Sequence, residues 1–181
     1  MRDARAHGVT VLPVCVNDSY FDNSMQPDGQ GGLALRLGFR QIKGLREEDA
    51  VWISAARGNG YRSVEDVWRR AGLTPVVLAR LAEAGVFAAL GLNRRAALWE
   101  AKALRAPLPL PLFGGDIEGE GIIEPAAHLP QMELGEQVVE DYAAMRLSLR
   151  AHPVALIRHL LTPSDTPPDS PPDTVSNAGP A

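Results

Sequence analysis

A mainly α fold, a tandem helix-hairpin-helix bundle with one short N-terminal strand region, an extended linker, two C-terminal helices and a disordered tail, is what this sequence predicts. Three observations carry that expectation. Capped helix starts recur between residues 46 and 105, apolar residues inside those stretches repeat near every 3.6 positions, and two glycine-bearing turns each follow an apolar residue and lead into a helix.

The chain opens on a short amphipathic stretch ending at His7-Gly8, where glycine fits the left-handed position after a helix. Val9 to Val16 is β-branched and alternating enough for one short strand. Asp28-Gly29-Gln30-Gly31-Gly32 reads as a turn or flexible linker. Glu47, Glu48 and Asp49 crowd the first turn of a helix running to about Arg57, where the macrodipole favours negative charge, and Gly58-Asn59-Gly60 stops it. Ser63-Val64-Glu65-Asp66 has the spacing of a capping box for a helix reaching Ala71. Thr74-Pro75 is a cap followed by proline at the first helical position, for a helix ending at Ala84-Gly85. Asn93 caps the next helix, from Arg94 to about Arg105. Each is too short to persist alone, so they must pack on one another. Trp52, Trp68 and Trp99 are expected to supply core or interhelix packing. Beyond Arg105 the prolines of Ala106 to Phe113 impose an extended segment, followed by an acidic loop through Gly121. Gly135 to Leu149 is helical in pattern, with Val138, Val139, Tyr142, Met145 and Leu149 on one face, and Pro153 starts a short helix to Leu161. Thr162 to Ala181 repeats proline, aspartate and serine with almost nothing to bury, which predicts disorder. The expected organisation is a lead-in over 1–32, the tandem unit over 33–105, a linker over 106–133, C-terminal helices over 134–161 and a tail over 162–181.

The formal net charge of −4 hides a segregation. From Arg36 to Arg105 there are 13 Lys/Arg against 7 Asp/Glu, a local +6, and the rest of the chain stands at −10. Such asymmetry favours a polyanionic partner for the middle segment alone. One cysteine, Cys15, closes no intrachain disulfide, and neither a CxxC pair nor a Cys/His cluster is present to hold zinc, so a cytoplasmic, reducing setting is the default expectation. No apolar run approaches the length of a membrane helix and none resembles a signal peptide, so no membrane partner is expected.

The functional expectation lies in the two turns. Phe39-Arg40-Gln41-Ile42-Lys43-Gly44-Leu45 leads into a helix at Arg46, and Leu81-Ala82-Glu83-Ala84-Gly85-Val86-Phe87 leads through Leu90 to Asn93 into a helix at Arg94. Glycine allows positive φ and leaves backbone N–H groups facing outward without a Cβ in the way. Outward N–H groups beside a helix start bind anions, here a nucleic-acid phosphate. Lys43, Arg46, Arg94 and Arg95 stand beside those turns and would add charge-assisted contacts. The expected DNA-binding set is therefore Lys43, Gly44, Leu45, Arg46, Gly85, Val86, Asn93, Arg94 and Arg95. Such contacts fix position on a duplex and carry no base information. Taken one at a time, Gly85 reads as an ordinary helix cap, and Arg57, Arg69, Arg70 and Arg80 as solvated helix faces.

Leu35 to Leu45, Gly60 to Gly72 and Leu81 to Trp99, taken together, closely resemble the error-prone, damage-inducible C-family DNA polymerases of bacteria, translesion paralogues of the replicative alpha subunit. His7 to Asn17 resembles that family's lead-in to this region, and Gly135 to Tyr142 with Leu147 to Pro153 resembles its exit. The resemblance spans roughly residues 1 to 161. It implies a C-terminal piece of a DNA-directed DNA polymerase, a nucleotidyltransferase serving replication, repair and damage tolerance, gripping double-stranded DNA at the primer-template backbone. It also implies that the PHP domain and the palm, whose three aspartates hold two Mg2+ ions, lie before residue 1. No cofactor and no catalytic residue are then expected in this chain, and activity of the chain alone is not expected. Asp18, Asp22 and Asp28 match no such triad and receive no catalytic role. Leu110-Pro111-Leu112-Phe113 stands where replicative relatives carry a sliding-clamp peptide, which makes Leu112 and Phe113 candidate clamp contacts, although the usual leading glutamine is missing. Other translesion factors are possible partners. Two alternatives stay open: a protein-interaction module joining a split polymerase, and a decayed fragment without independent function.

Overall fold

The computed structural model describes residues 7–29, 31–104 and 130–161. The expected opening amphipathic stretch, most of the linker including Leu110 to Phe113, and the tail over 162–181 lie outside the described residues. The described chain is mostly helical, with six α-helices and a small three-stranded sheet.

The sheet is the first departure from expectation. One short strand was predicted over Val9 to Val16, whereas three form: β1 (Thr10–Leu12), β2 (Ser24–Pro27) and β3 (Leu33–Arg36), in the order β1-β3-β2. β1 pairs parallel with β3 and β2 pairs antiparallel with it, so the glycine-rich segment between 28 and 32 is the turn of a hairpin. Within that turn the Asp28 amide donates to Gly32 O at 3.1 Å and the Gly32 amide to the Asp28 carboxylate at 2.9 Å. The boundary expected between 32 and 33 thus falls inside a sheet. β1 falls within the expected strand, whereas β2 and β3 were hidden because each has only four residues, too few for a period to register.

β3 runs into a 3-10 turn (Phe39–Gln41) and the helices α1 (Glu47–Ala55), α2 (Val64–Ala71) and α3 (Pro75–Glu83). A second 3-10 turn (Val86–Leu90) then connects to α4 (Arg94–Ala103), which packs most extensively on α3. Three of the predicted caps form. Ser63 Oγ accepts from the Asp66 amide, Thr74 Oγ1 from the Val77 amide and Asn93 Oδ1 from the Ala96 amide. The return bond of the first cap differs from expectation, since the Asp66 carboxylate accepts from the amide of Arg62. α1 ends at Ala55, two residues short of the predicted Arg57.

One core joins these elements. Val11, Val14 and Val16 from the N-terminal segment, Phe39 and Ile53 from the first turn and α1, and Leu78, Leu81 and Phe87 from the second unit all belong to it. Burying a side chain such as Phe39 or Phe87 contributes about 2 to 3 kcal/mol. Of the tryptophans only Trp68 packs partly against this core, while Trp52 and Trp99 are 62% and 55% exposed, which corrects the packing role expected for them.

The C-terminal helices are α5 (Leu134–Met145) and α6 (Pro153–Leu161). α5 starts with a reciprocal Glu133/Glu136 capping box and ends at Arg146, the one non-glycine residue with positive φ among those described, at 60°. Its buried face carries Val138 and Asp141, whereas Val139 is 66% exposed and Tyr142 is also exposed. Of the apolar face expected for this helix, Val138 is buried and Met145 and Leu149 pack partly against the core, while Val139 and Tyr142 face outward. No helix among the described residues is long and apolar enough to cross a membrane.

Candidate nucleic-acid interface

The first glycine turn is built from Ile42 to Arg46. Ile42 and Leu45 are buried and anchor the turn to the core, leaving Lys43 and Gly44 exposed at its tip. Gly44 sits at φ 75°, a conformation that costs an L residue about 1 to 2 kcal/mol. Two amides of the turn are used internally: Lys43 N–H donates to Ala144 O at 2.9 Å and Leu45 N–H to Ile42 O at 3.3 Å. Among the described residues, neither the Gly44 nor the Arg46 amide has a backbone acceptor. Arg46 is exposed, but its guanidinium makes two bonds to Asp49, at 3.1 and 3.2 Å, and lies 3.7 Å from Glu48. The Asp49 carboxylate raises the guanidinium pKa further, so its charge is permanent and partly neutralised in place.

Cations that the sequence did not single out surround this tip. Arg80, on α3, donates to Gly44 O at 2.7 Å and its guanidinium lies over the face of Gly44 that a Cβ would occupy. Two shallow depressions share Ile42, Lys43 and Gly44. One is closed by Arg80, Glu83, Ala143 and Ala144, the other by Arg40, Met145 and Arg146. Arg40 also pairs with Asp22 at 2.6 Å on the surface, where such a pair is weak.

The second turn is arranged differently. Gly85 takes φ 72° and Gly91 φ 77°, and Val86 is fully buried with its carbonyl accepting from Val16 N–H at 3.2 Å. Asn93 is spent on capping α4. Arg94 has a side chain only 8% exposed, donating to Asp141 at 2.5 Å and to Gln137 O at 3.3 Å, with its Nε buried and without a partner among the described residues. Arg95 bonds Glu136 and Pro130 O, both at 3.1 Å. The arginines expected to face a phosphate here are thus both paired with residues of α5, although they line one depression with Gly85 and Asn93. Asp141 also accepts from Ser148 at 2.7 Å and lies 3.5 Å from Arg150.

Both turns nevertheless border the same helix. Lys43 meets α5 at Ala144 and Arg94 meets it at Gln137 and Asp141, positions within two helical turns, or about 10 Å, of each other. Elsewhere in the basic block arginines act as struts. Arg57 donates to the carbonyls of Val16 and Ser19 and stacks over Tyr20, and Arg70 donates to the carbonyls of Ala56, Arg57 and Gly60 and stacks over Tyr61. Asp18 pairs with Arg36 and Asp22 with Arg40, and the described residues contain no cluster of three or more His, Cys, Asp or Glu able to hold a metal ion. Burial pushes the Cys15 thiol pKa up, away from the reactive thiolate.

A family model described as a helix-hairpin-helix motif matches residues 8–97, which takes in the sheet, both turns and the start of α4. The error-prone DNA polymerase of Ruegeria pomeroyi is 58% identical over 182 residues, covering 99% of this chain. This chain belongs to the error-prone DNA polymerase family. Error-prone DNA polymerases of Sinorhizobium medicae and Brucella abortus are 46% and 45% identical, each over 87% of the chain. The chain spans only 15 to 16% of the length of these error-prone polymerases, so it corresponds to one segment of them.

Proposed function

We propose that this chain provides non-sequence-specific grip on the backbone of double-stranded DNA within an error-prone DNA polymerase, holding the primer-template while synthesis proceeds. The observation that carries the reading is the exposed Lys43-Gly44 tip, left-handed at glycine and ringed by cations, in a segment that matches a helix-hairpin-helix model. Gly44 and Arg46 amides with Lys43 supply the first phosphate contacts, with Leu45 as their apolar anchor. The second unit, Gly85, Val86, Asn93, Arg94 and Arg95, contributes mainly by shaping the surface, because α5 holds its two arginines. Such binding is driven by counterion release and falls steeply with salt.

Fluorescence anisotropy with a labelled duplex at two salt concentrations tests this. The parent chain is expected to lose affinity steeply between them, and Lys43→Glu to bind roughly tenfold more weakly at the lower salt. A binding constant indifferent to both salt and Lys43→Glu would overturn the reading. A second reading, docking to a separate polymerase part or accessory factor such as a translesion factor, draws support from exposed Val51 and Trp52 side by side on α1. Retention of a protein partner by a Lys43→Glu chain that has lost DNA would favour it.

A further inference from the structure

We propose that the phosphate track does not end at the first turn but crosses onto the C-terminal end of α5, with Arg146 and Arg80 as direct phosphate ligands on either side of Lys43. This inference rests on the DNA-backbone reading of the Lys43-Gly44 tip and adds residues to it that lie outside the expected DNA-binding set.

The geometry is specific. The Lys43 amide is bonded to Ala144 O, which brings the end of α5 against the turn, and Arg146 follows two residues later. Arg146 and Arg40 line the depression on one side of the tip, and Arg80 lines that on the other. All four cations, Arg40, Lys43, Arg80 and Arg146, are exposed. They face two carboxylates, Glu83 beside Arg80 and Asp22 on Arg40, so a net positive charge remains for a polyanion. The bond from Arg80 Nη1 to Gly44 O fixes that guanidinium in place, and its remaining N–H donors form a planar fork suited to phosphate oxygens.

Arg146 is the sharper case. It stands at φ 60° directly after α5, a position where glycine is favoured by about 1 kcal/mol and where the chain carries instead a long cation. A cation there also meets the negative end of the helix dipole, which is a purely structural reason for it. The two roles separate by substitution. Arg146→Gly relieves the left-handed strain while deleting the charge, and Arg146→Lys keeps the charge.

Duplex affinity and its salt dependence, measured together with thermal unfolding, provide the test. Arg146→Gly is expected to unfold at a temperature no lower than the parent, yet to bind duplex DNA roughly three- to tenfold more weakly near 0.1 M salt, with the slope of log affinity against log salt reduced by about one. Arg146→Lys should retain the parental slope, and Arg80→Gln should lose about one more unit of it. Parental affinity and slope in both Arg146→Gly and Arg80→Gln, with binding lost in Lys43→Glu, would overturn the extended track and leave the first-turn reading standing. If Lys43→Glu also binds normally, both fall.

Discussion

Gly38 has no room for a side chain. A Cβ there would lie 2.3 to 2.5 Å from the backbone of Phe21 and Asp22. The close approach exists because the Gly38 amide donates to Asn23 and the next two amides, of Phe39 and Arg40, donate to the carbonyls of Tyr20 and Phe21. Gly38→Ala must push the 20–23 loop off these bonds, at a cost of about 2 to 3 kcal/mol, to be measured by chemical denaturation. A parental midpoint in that variant would show that the loop is not held there. Individual residues were readable from sequence where their partner lies within a few positions, as with Ser63, Thr74 and Asn93. The strut roles of Arg57 and Arg70 were not, because apart from Asp66, one turn before Arg70, the acceptors are backbone carbonyls, which every residue has and no side-chain pattern marks. Arg80 and Arg146 were missed for a related reason: their relevance comes from Gly44, which is distant in the chain.

Among the elements, α5 was placed closely by its sequence, and its rotation only in part. The expected stripe holds at Val138, Met145 and Leu149 and fails at Val139 and Tyr142, because the side facing the domain also carries Asp141, whose charge is satisfied by Arg94. Periodicity counts apolar residues and cannot anticipate a buried ion pair that outweighs them. Removing one member leaves the other charge desolvated, so Arg94→Met and Asp141→Leu should each destabilise by about 3 to 5 kcal/mol. The double variant should recover much of that loss, because an apolar pair avoids the desolvation of two charges. Additive losses in a thermodynamic cycle would refute the coupling. The two glycine turns themselves were found correctly, but which of their cations point outward depends on how α5 lies across them.

For the molecule as a whole, the strands and both helix pairs share one core, with Val16 of the N-terminal segment bonded to Val86 in the second turn. Asn17 reinforces this by exchanging two hydrogen bonds with the backbone of Tyr61, at 2.7 and 3.1 Å. Residues 7–104 should therefore unfold in one transition, with tryptophan fluorescence and far-ultraviolet circular dichroism giving the same midpoint. Separate midpoints would mean that the sheet is an independent unit. The mainly helical character and the tandem turns could be read in advance because they rest on repeated local signals, whereas the sheet depends on pairing between short segments.

The contact of both turns with α5 makes that helix a spacer of fixed pitch. Each residue added to or removed from the stretch between Gln137 and Ala144 would swing one anchor by about 100° relative to the other. The separation of the two loop tips is thereby tied to helix length in whole turns, so an insertion or deletion in this stretch would release one of the two contacts.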